Sequence, residues 1–201
     1  MPSDPRGRYA RGVQRRSALI EAAAHLLLEQ GLTAISHRAV AARAGLPLAS
    51  TTYYFASADD LRDEALQHVA EEWGARAGAV VDALPAQLDA ARAAQAVGSM
   101  IGADAPSPEM LLMYERYLEA GRHQRLRPVV VAWNGHLKEL VREVLRRAGL
   151  PDEEDRAGLV LAVADGVAVT ALAEGAPPDV AIVAALEQLF SLLGDGARRM
   201  Q

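Results

Sequence analysis

The chain has 201 residues, 51% of them hydrophobic but only 4% aromatic, and a formal net charge of −5 at pH 7. That length allows one large or two small domains, with a core built from Ala, Leu and Val, of which Ala and Leu are strong helix formers. It contains no cysteine, which excludes disulfides, thiolate nucleophiles, thiolate–zinc sites and iron–sulfur clusters.

No strand-type alternation is sustained over a run and no Asn-Gly hairpin signal occurs, so the expected fold class is all-α, with about nine helices. The N-terminal sequence MPSDPRGRYARG lacks an apolar signal core, so no export is expected and the cytoplasm is the expected location. Residues 1–11 read as a flexible basic arm. A first helix is expected over about 13–30, with Leu19, Ile20, Ala23, Leu26 and Leu27 at helical spacing and Gly31 as its stop.

Ser36 caps a second helix, about 37–44, which Gly45 ends. The short turn Gly45-Leu46-Pro47 leads to a third helix, about 48–54. Two short helices joined by a tight glycine turn are the arrangement of a helix-turn-helix, which implies double-stranded DNA as partner. Ser57 and Asp60 stand in capping-box positions for a fourth helix, about 58–82. Five further helices, about 86–102, 107–122, 126–148, 153–174 and 178–194, lie between Pro and Gly breaks. The most apolar stretch, 157–173, is interrupted by Asp165 and two glycines and is short for a bilayer, so it reads as a buried interface helix with no membrane partner.

Charge supports the DNA reading. Residues 1–58 carry seven Arg against three acids, and the rest carries 14 basic against 23 acidic residues. A basic end on an acidic body suits a DNA reader with a separate sensing or assembly region. The charge reversal sets the expected domains: the arm at 1–11, a helix-turn-helix domain at 12–58, and a helical ligand-binding and dimerisation domain at 59–201.

In the third helix, Thr51 and Phe55 should face inward with Leu46. Leu48, Ala49, Thr52 and Tyr53 then face outward. Leu48 or Ala49 suits a thymine methyl, and Ser50 or Thr52 suits a base or phosphate. The hydroxyls of Tyr53 and Tyr54 suit phosphate. Ser36 and His37 lie at a positive helix end, where phosphate binds. Simpler roles stand beside these: Ser36 as a cap, Tyr54 as core, and His37 as a plain surface residue. Arg8, Arg11, Arg15 and Arg16 suit nonspecific phosphate contact.

The residues Gly31, Thr33, Arg38-x-Val40-Ala41-x-x-Ala44-Gly45-Leu46 and Tyr53-Tyr54-Phe55-x-Ser57-x-x-x-Leu61 resemble the tetracycline-repressor (TetR) family of bacterial transcriptional regulators. The resemblance spans residues 16–65. It departs at Thr52, where many members carry an aromatic residue, and at Ala58, where many carry Lys. It implies a homodimeric, ligand-responsive transcriptional regulator, a repressor, on a pseudo-palindromic operator. Arg38 matches a family position that can reach a guanine.

The resemblance also implies a cavity for an unknown small-molecule effector in the middle helices. Its candidates are Met100, Met110, Met113, Tyr114, Tyr117 and Trp133, soft and aromatic groups that could equally be ordinary core. Asp165 interrupts an apolar helix, and a buried carboxylate there needs a partner, either a ligand group or a residue across a subunit boundary. For the family's dimer mode the candidates are Leu159, Val163, Val167, Thr170, Leu186, Leu189, Phe190 and Leu193, with the intramolecular core as the alternative. No cofactor is implied. Glu115, Glu119 and His123, four apart on one helix, are a possible divalent-metal stripe or, more simply, a solvated face. The block from Lys138 to Arg147 reads as surface pairing without a site. The rival functions are a helical enzyme using the Met/Tyr pocket and a protein-binding adaptor. The sequence lacks a thiol, a His-Glu metal motif and a phosphate-binding Gly loop, so no enzyme is expected.

Overall fold

The structure, a computed structural model, describes residues 5–105 and 107–199. Among them are nine α helices and no strand: α1 (Pro5–Gln30), α2 (His37–Ala44), α3 (Leu48–Tyr54), α4 (Ala58–Asp82), α5 (Ala90–Met100), α6 (Ser107–Arg122), α7 (Arg127–Arg147), α8 (Glu154–Glu174) and α9 (Pro178–Arg199), with one 3-10 turn at Leu32–Ala34. The all-α expectation holds.

α1 begins earlier than the sequence pattern suggests. Pro5 can open a helix because its missing N–H needs no partner in the first turn. Residues 5–11, expected as arm, are therefore helical, while residues 1–4 lie outside the described residues. α5 begins later than expected, at Ala90, because Asp89 caps it: its Oδ1 accepts from Arg92 N at 2.7 Å.

The chain forms two compact units. One gathers the chain up to Glu71 with Glu115–Val130; the other gathers Glu72–Tyr114 with Val131 onward. The units divide within α4, after Glu71, and not at the charge reversal near residue 58.

The first unit is a helical head. α1 packs on α2 and α3, and Leu19, Leu27, Leu32, Ile35, Val40 and Phe55 are buried at its centre. α4 opens on the capping box expected from sequence: Asp60 N donates to Ser57 Oγ at 3.1 Å, and Ser57 N donates to Asp60 Oδ2 at 2.9 Å. These bonds, with Arg125 beside them, hold the Asp60 carboxyl below the usual aspartate range.

The second unit pairs α8 with α9 and α9 with α5. Its core joins Val97, Leu137, Val141, Val144, Val160, Ala164, Ala168, Ile182, Leu186 and Phe190. α5 carries mostly small residues inward, with Ala93, Ala94, Ala96 and Gly98 buried beside Val97 and Met100, and Gly98 lets α9 approach closely. Arg147 closes the end of α4: its Nη1 donates to Val81 O and Leu84 O at 2.9 Å each, carbonyls left without helical partners. The segment Asp155–Glu174 is long and apolar enough, by length and composition, to cross a membrane. Its Val160, Ala164 and Ala168 are fully buried in the second unit.

Candidate nucleic-acid interface

Local rules position the two short helices of the head. Ser36 is extended and its Oγ accepts from Ala39 N at 3.2 Å, which starts α2. Gly45 adopts a left-handed conformation, φ 65°, that ends α2, and Leu46 N then reaches back to Ala41 O at 3.0 Å. Pro47 turns the chain into α3, where Ser50 N donates to Pro47 O.

α3 has a buried side and an open side. Thr51 is fully buried and satisfies its hydroxyl on Leu48 O at 2.8 Å, and Phe55 is buried behind it. Leu48 is 51% and Tyr53 81% exposed, and Ala49 and Thr52 are exposed with them. An exposed leucine and a nearly free tyrosine on one side of a seven-residue helix are not explained by packing. Ser50 is half-buried. Thr52 Oγ1 donates to Ala49 O at 3.3 Å, leaving its lone pairs and methyl outward. Arg38 and Ser36 are exposed on α2.

Other expected members are more deeply placed. Tyr54 is half-buried, its ring edge-on to Tyr53 at 4.9 Å and its Oη within 3.5 Å of where a Cβ on Gly12 would lie, so it is wedged against α1. His37 is half-buried with a buried Nδ1 that has no hydrogen-bond partner, and is not the surface residue expected as the simpler reading.

The arginines divide. Arg11 and Arg15 are exposed. The side chain of Arg8 lies outside the described residues. Arg16 corrects its expected role: it pairs with Glu64 of α4 and lies 5.4 Å from the Phe55 ring centroid, a cation–π contact that holds α1 to the end of the reading helix. Arg43 pairs with Glu29 through both terminal nitrogens, one at 2.7 Å, and thereby ties α2 to α1.

Three residues that support the head were not singled out for that work. Arg62 donates to Leu32 O and Ile35 O at 3.1 and 3.2 Å, pinning the segment that carries Ser36. Glu119 of α6 accepts from Leu32 N at 3.3 Å and pairs with Arg116 at 2.9 Å. Arg125 bonds Asp63 at 2.7 Å and also meets Asp59 and Asp60. The sequence offers these residues only as surface charge, because their partners lie tens of residues away. Glu115, Glu119 and His123 do not assemble a metal site: among the described residues no three metal-ligating side chains cluster, and Glu119 is committed to Arg116 and Leu32.

In the second unit the expected ligand residues also divide. Met100 and Met110 are enclosed in the aliphatic core. Met113, Tyr114 and Trp133 are half-buried against it, and Trp133 lies 6.1 Å from Trp73 in a tilted ring pair. Tyr117 is half-buried but belongs to the first unit, so it does not join them. Tyr114 Oη donates to Asp165 Oδ1 at 2.9 Å, uniting two expected residues. Asp165 keeps access to solvent, yet the surrounding protein desolvates it enough to push its carboxyl above the usual aspartate range, against the opposing pull of the Tyr114 hydroxyl.

The expected dimer stripe needs correction. Leu186 and Phe190 are buried within the unit's own core, and Val163, Val167, Leu189 and Leu193 pack partly against it. Leu159 and Thr170 are exposed, but Thr170 Oγ1 donates to Gly166 O at 2.9 Å. The outward apolar positions are Leu159, Ala162, Val169 and Ala173 on α8, and Val180, Ala184 and Leu192 on α9. α9 is apolar on two sides, and periodicity alone does not say which side a neighbour within the same chain covers.

A three-helix head that displays a short reading helix beside an exposed arginine defines a helix-turn-helix DNA-binding protein. The sequence matches the family described as bacterial regulatory proteins, tetR family, over residues 19–65, and the tetracyclin repressor-like C-terminal domain over residues 88–192. Among solved structures, the chain is 34% identical to the multidrug binding protein EbrR complexed with imidazole, over 88% of this chain and 94% of that one, with a TM-score of 0.67. It is 33% identical to a TetR-family member from Streptomyces coelicolor A3, over 88% and 98%, with a TM-score of 0.66. It is 26% identical to a transcriptional regulator from Rhodococcus sp. Rha1, over 90% and 96%, with a TM-score of 0.68. A comparison with curated proteins finds no match. The chain belongs to the TetR family of transcriptional regulators, a DNA-binding regulator and not an enzyme.

Proposed function

We propose that the chain is a cytoplasmic, homodimeric repressor whose grip on a pseudo-palindromic operator is released by a small-molecule effector. The observation that carries the DNA half is the open face of α3, with Leu48, Ala49, Thr52 and Tyr53 outward. On this reading Leu48 and Ala49 meet thymine methyls, while Ser50, Thr52 and Arg38 address base edges. Tyr53 and Ser36 hold phosphates, with Tyr54 and His37 at the margin of the contact. Two copies place two reading helices in successive major grooves about one turn apart.

The dimer half rests on the outward apolar residues of α8 and α9. A second copy is the occupant that fits, because the small Ala162, Gly166 and Ala173 permit close helix approach and an isologous four-helix interface. The effector half rests on likeness to EbrR, solved with imidazole, malachite green, proflavin and ethidium. An effector acts by binding better to the shape of the dimer that does not fit the operator, and a coupling of about 1–3 kcal/mol gives a tenfold-scale response.

The test is titration of the purified protein with random and selected duplexes by fluorescence anisotropy across a salt series. A repressor of this kind binds random duplex with affinity that falls steeply with salt and selects a twofold-symmetric sequence. A dimer indifferent to every duplex at low ionic strength refutes the proposal. Arg38→Ala separates base reading from phosphate contact: loss confined to one base position supports the first, and uniform loss supports the second.

A further inference from the structure

α3 turns hydrocarbon outward. Leu48 is 51% exposed although its helix has a packed side, and Ala49 and Thr52 are exposed beside it. In helical projection positions 48, 52 and 49 follow one another across an arc of about 100°, and Tyr53 closes it. Thr52 Oγ1 donates to Ala49 O at 3.3 Å, so its hydroxyl hydrogen is engaged within the helix and its methyl stays at the surface.

Groups that read the other bases are scarce nearby. Guanine is read by a guanidinium or ammonium, adenine by a side-chain amide and cytosine by a carboxylate, whereas thymine is distinguished by its C5 methyl. From Ser36 to Tyr54 the chain holds no Asn, Gln, Asp, Glu or Lys. Its two arginines divide: Arg38 is exposed, and Arg43 is held by Glu29 through both terminal nitrogens. His37 is half-buried. Serine and threonine hydroxyls accept or donate to several bases and discriminate weakly. The helix pair thus offers a major groove one guanine contact and a set of methyl contacts.

We propose that the protein recognises its operator through pyrimidine C5-methyl groups: Leu48, Ala49 and the Thr52 methyl form an aliphatic edge that takes thymine, and takes 5-methylcytosine in its place. The methyl of 5-methylcytosine projects into the major groove from the same ring carbon as that of thymine, and an aliphatic edge meets both alike. The partner is a duplex whose half-sites are thymine-rich beside one guanine, and cytosine methylation at a contacted position tightens the complex. This inference rests on the operator-binding reading above and names the feature of the DNA that is recognised.

The test uses the full-length protein and an operator duplex selected with it from a random library. Each thymine is replaced in turn by deoxyuridine, in both half-sites at once, and binding is followed by fluorescence anisotropy at one fixed salt concentration. Deoxyuridine keeps the base pair and removes only the methyl. One or two positions should lose about fourfold per methyl, or about fifteenfold for the symmetric pair, and the other thymines should stay within about 1.5-fold. At a sensitive position, 5-methylcytosine should bind more tightly than cytosine by a similar factor. Leu48→Ala should shrink the deoxyuridine penalty at one position to about twofold or less and leave it elsewhere, and Thr52→Ser, which keeps the hydroxyl, should do so at another.

Operator binding with no deoxyuridine penalty anywhere, an equal penalty at every thymine, 5-methylcytosine no better than cytosine, or penalties unchanged in both folded variants overturns the methyl reading and leaves operator binding intact. The altered duplexes need no variant protein, so they decide if a variant does not fold. A protein indifferent to every duplex overturns operator binding and this inference together.

Discussion

Gly31→Ala probes the joint that carries the recognition unit. Gly31 is buried with φ 88° and ψ 176°, a region essentially confined to glycine, where another residue costs about 1–3 kcal/mol of backbone strain. The new Cβ would also lie 2.7 Å from Arg116 Nη1 and 3.2 Å from Glu119 Oε2. The guanidinium can swing away, but it then leaves Glu119, which accepts from Leu32 N at 3.3 Å, and loss of that bond adds about 1 kcal/mol. The sum is roughly 2–4 kcal/mol, which for a chain of this size lowers the melting temperature by about 5–12 °C. Circular dichroism melts at one fixed protein concentration measure it, because the stability of an oligomer varies with concentration. Repeating the substitution in an Arg116→Ala background should return the steric share and leave the backbone share. A melting temperature within about 2 °C of wild type refutes the strain reasoning, and an equal loss in both backgrounds refutes the steric part.

Gly98→Ala should have the opposite sign, because a Cβ there meets Ile182 and Ala103 at an ordinary 3.7 Å, and the gain in helix propensity is about 0.5–1 kcal/mol; a lower melting temperature counts against it. Phe190→Ala should cost about 3–5 kcal/mol in denaturant unfolding as a core cavity, whereas Leu192→Glu should split the proposed dimer in sedimentation with little loss of helix; dissociation without destabilisation by Phe190→Ala would restore that residue to the proposed interface. Glu143 is held by Arg146 and then Arg147, which lower its pKa from the ordinary 4.5 to about 2. Its folded value is depressed, so its contribution is complete above about 4.5 and disappears as pH falls through about 2. Relative to Glu143→Gln the wild type should gain about 1 kcal/mol at neutral pH, a modest figure for a part-exposed group, and the two acid-unfolding curves should converge near the lower value.

The bounds of α2, α3, α4 and α6 were legible because their signals are local. Ser36, Gly45 and the Ser57–Asp60 pair each act within four residues, and the structure uses them as the sequence suggests. The open face of α3 was legible for the same reason, since Thr51 and Phe55 are one turn apart and define the inside. Arg16, Glu119 and Arg147 were not legible, because a charged side chain on a helix looks solvated until the chain brings a distant carbonyl, amide or carboxylate to it. The division of α9 into core and surface failed for a related reason. Ile182, Leu186 and Phe190 form one row and Val180, Ala184 and Leu192 another, and both are apolar.

The reading helix carries no amide, acid or guanidinium group anywhere from Leu48 to Tyr54. Two of its hydroxyls, on Thr51 and Thr52, already point back to its own carbonyls. Its chemical vocabulary is therefore short, and positions 48 and 49 are exposed on its open side. A single change at either, to Asn, Gln or Arg, can add a new letter preference while the scaffold behind it stays intact, which makes this head an easy one to retarget by selection or by design.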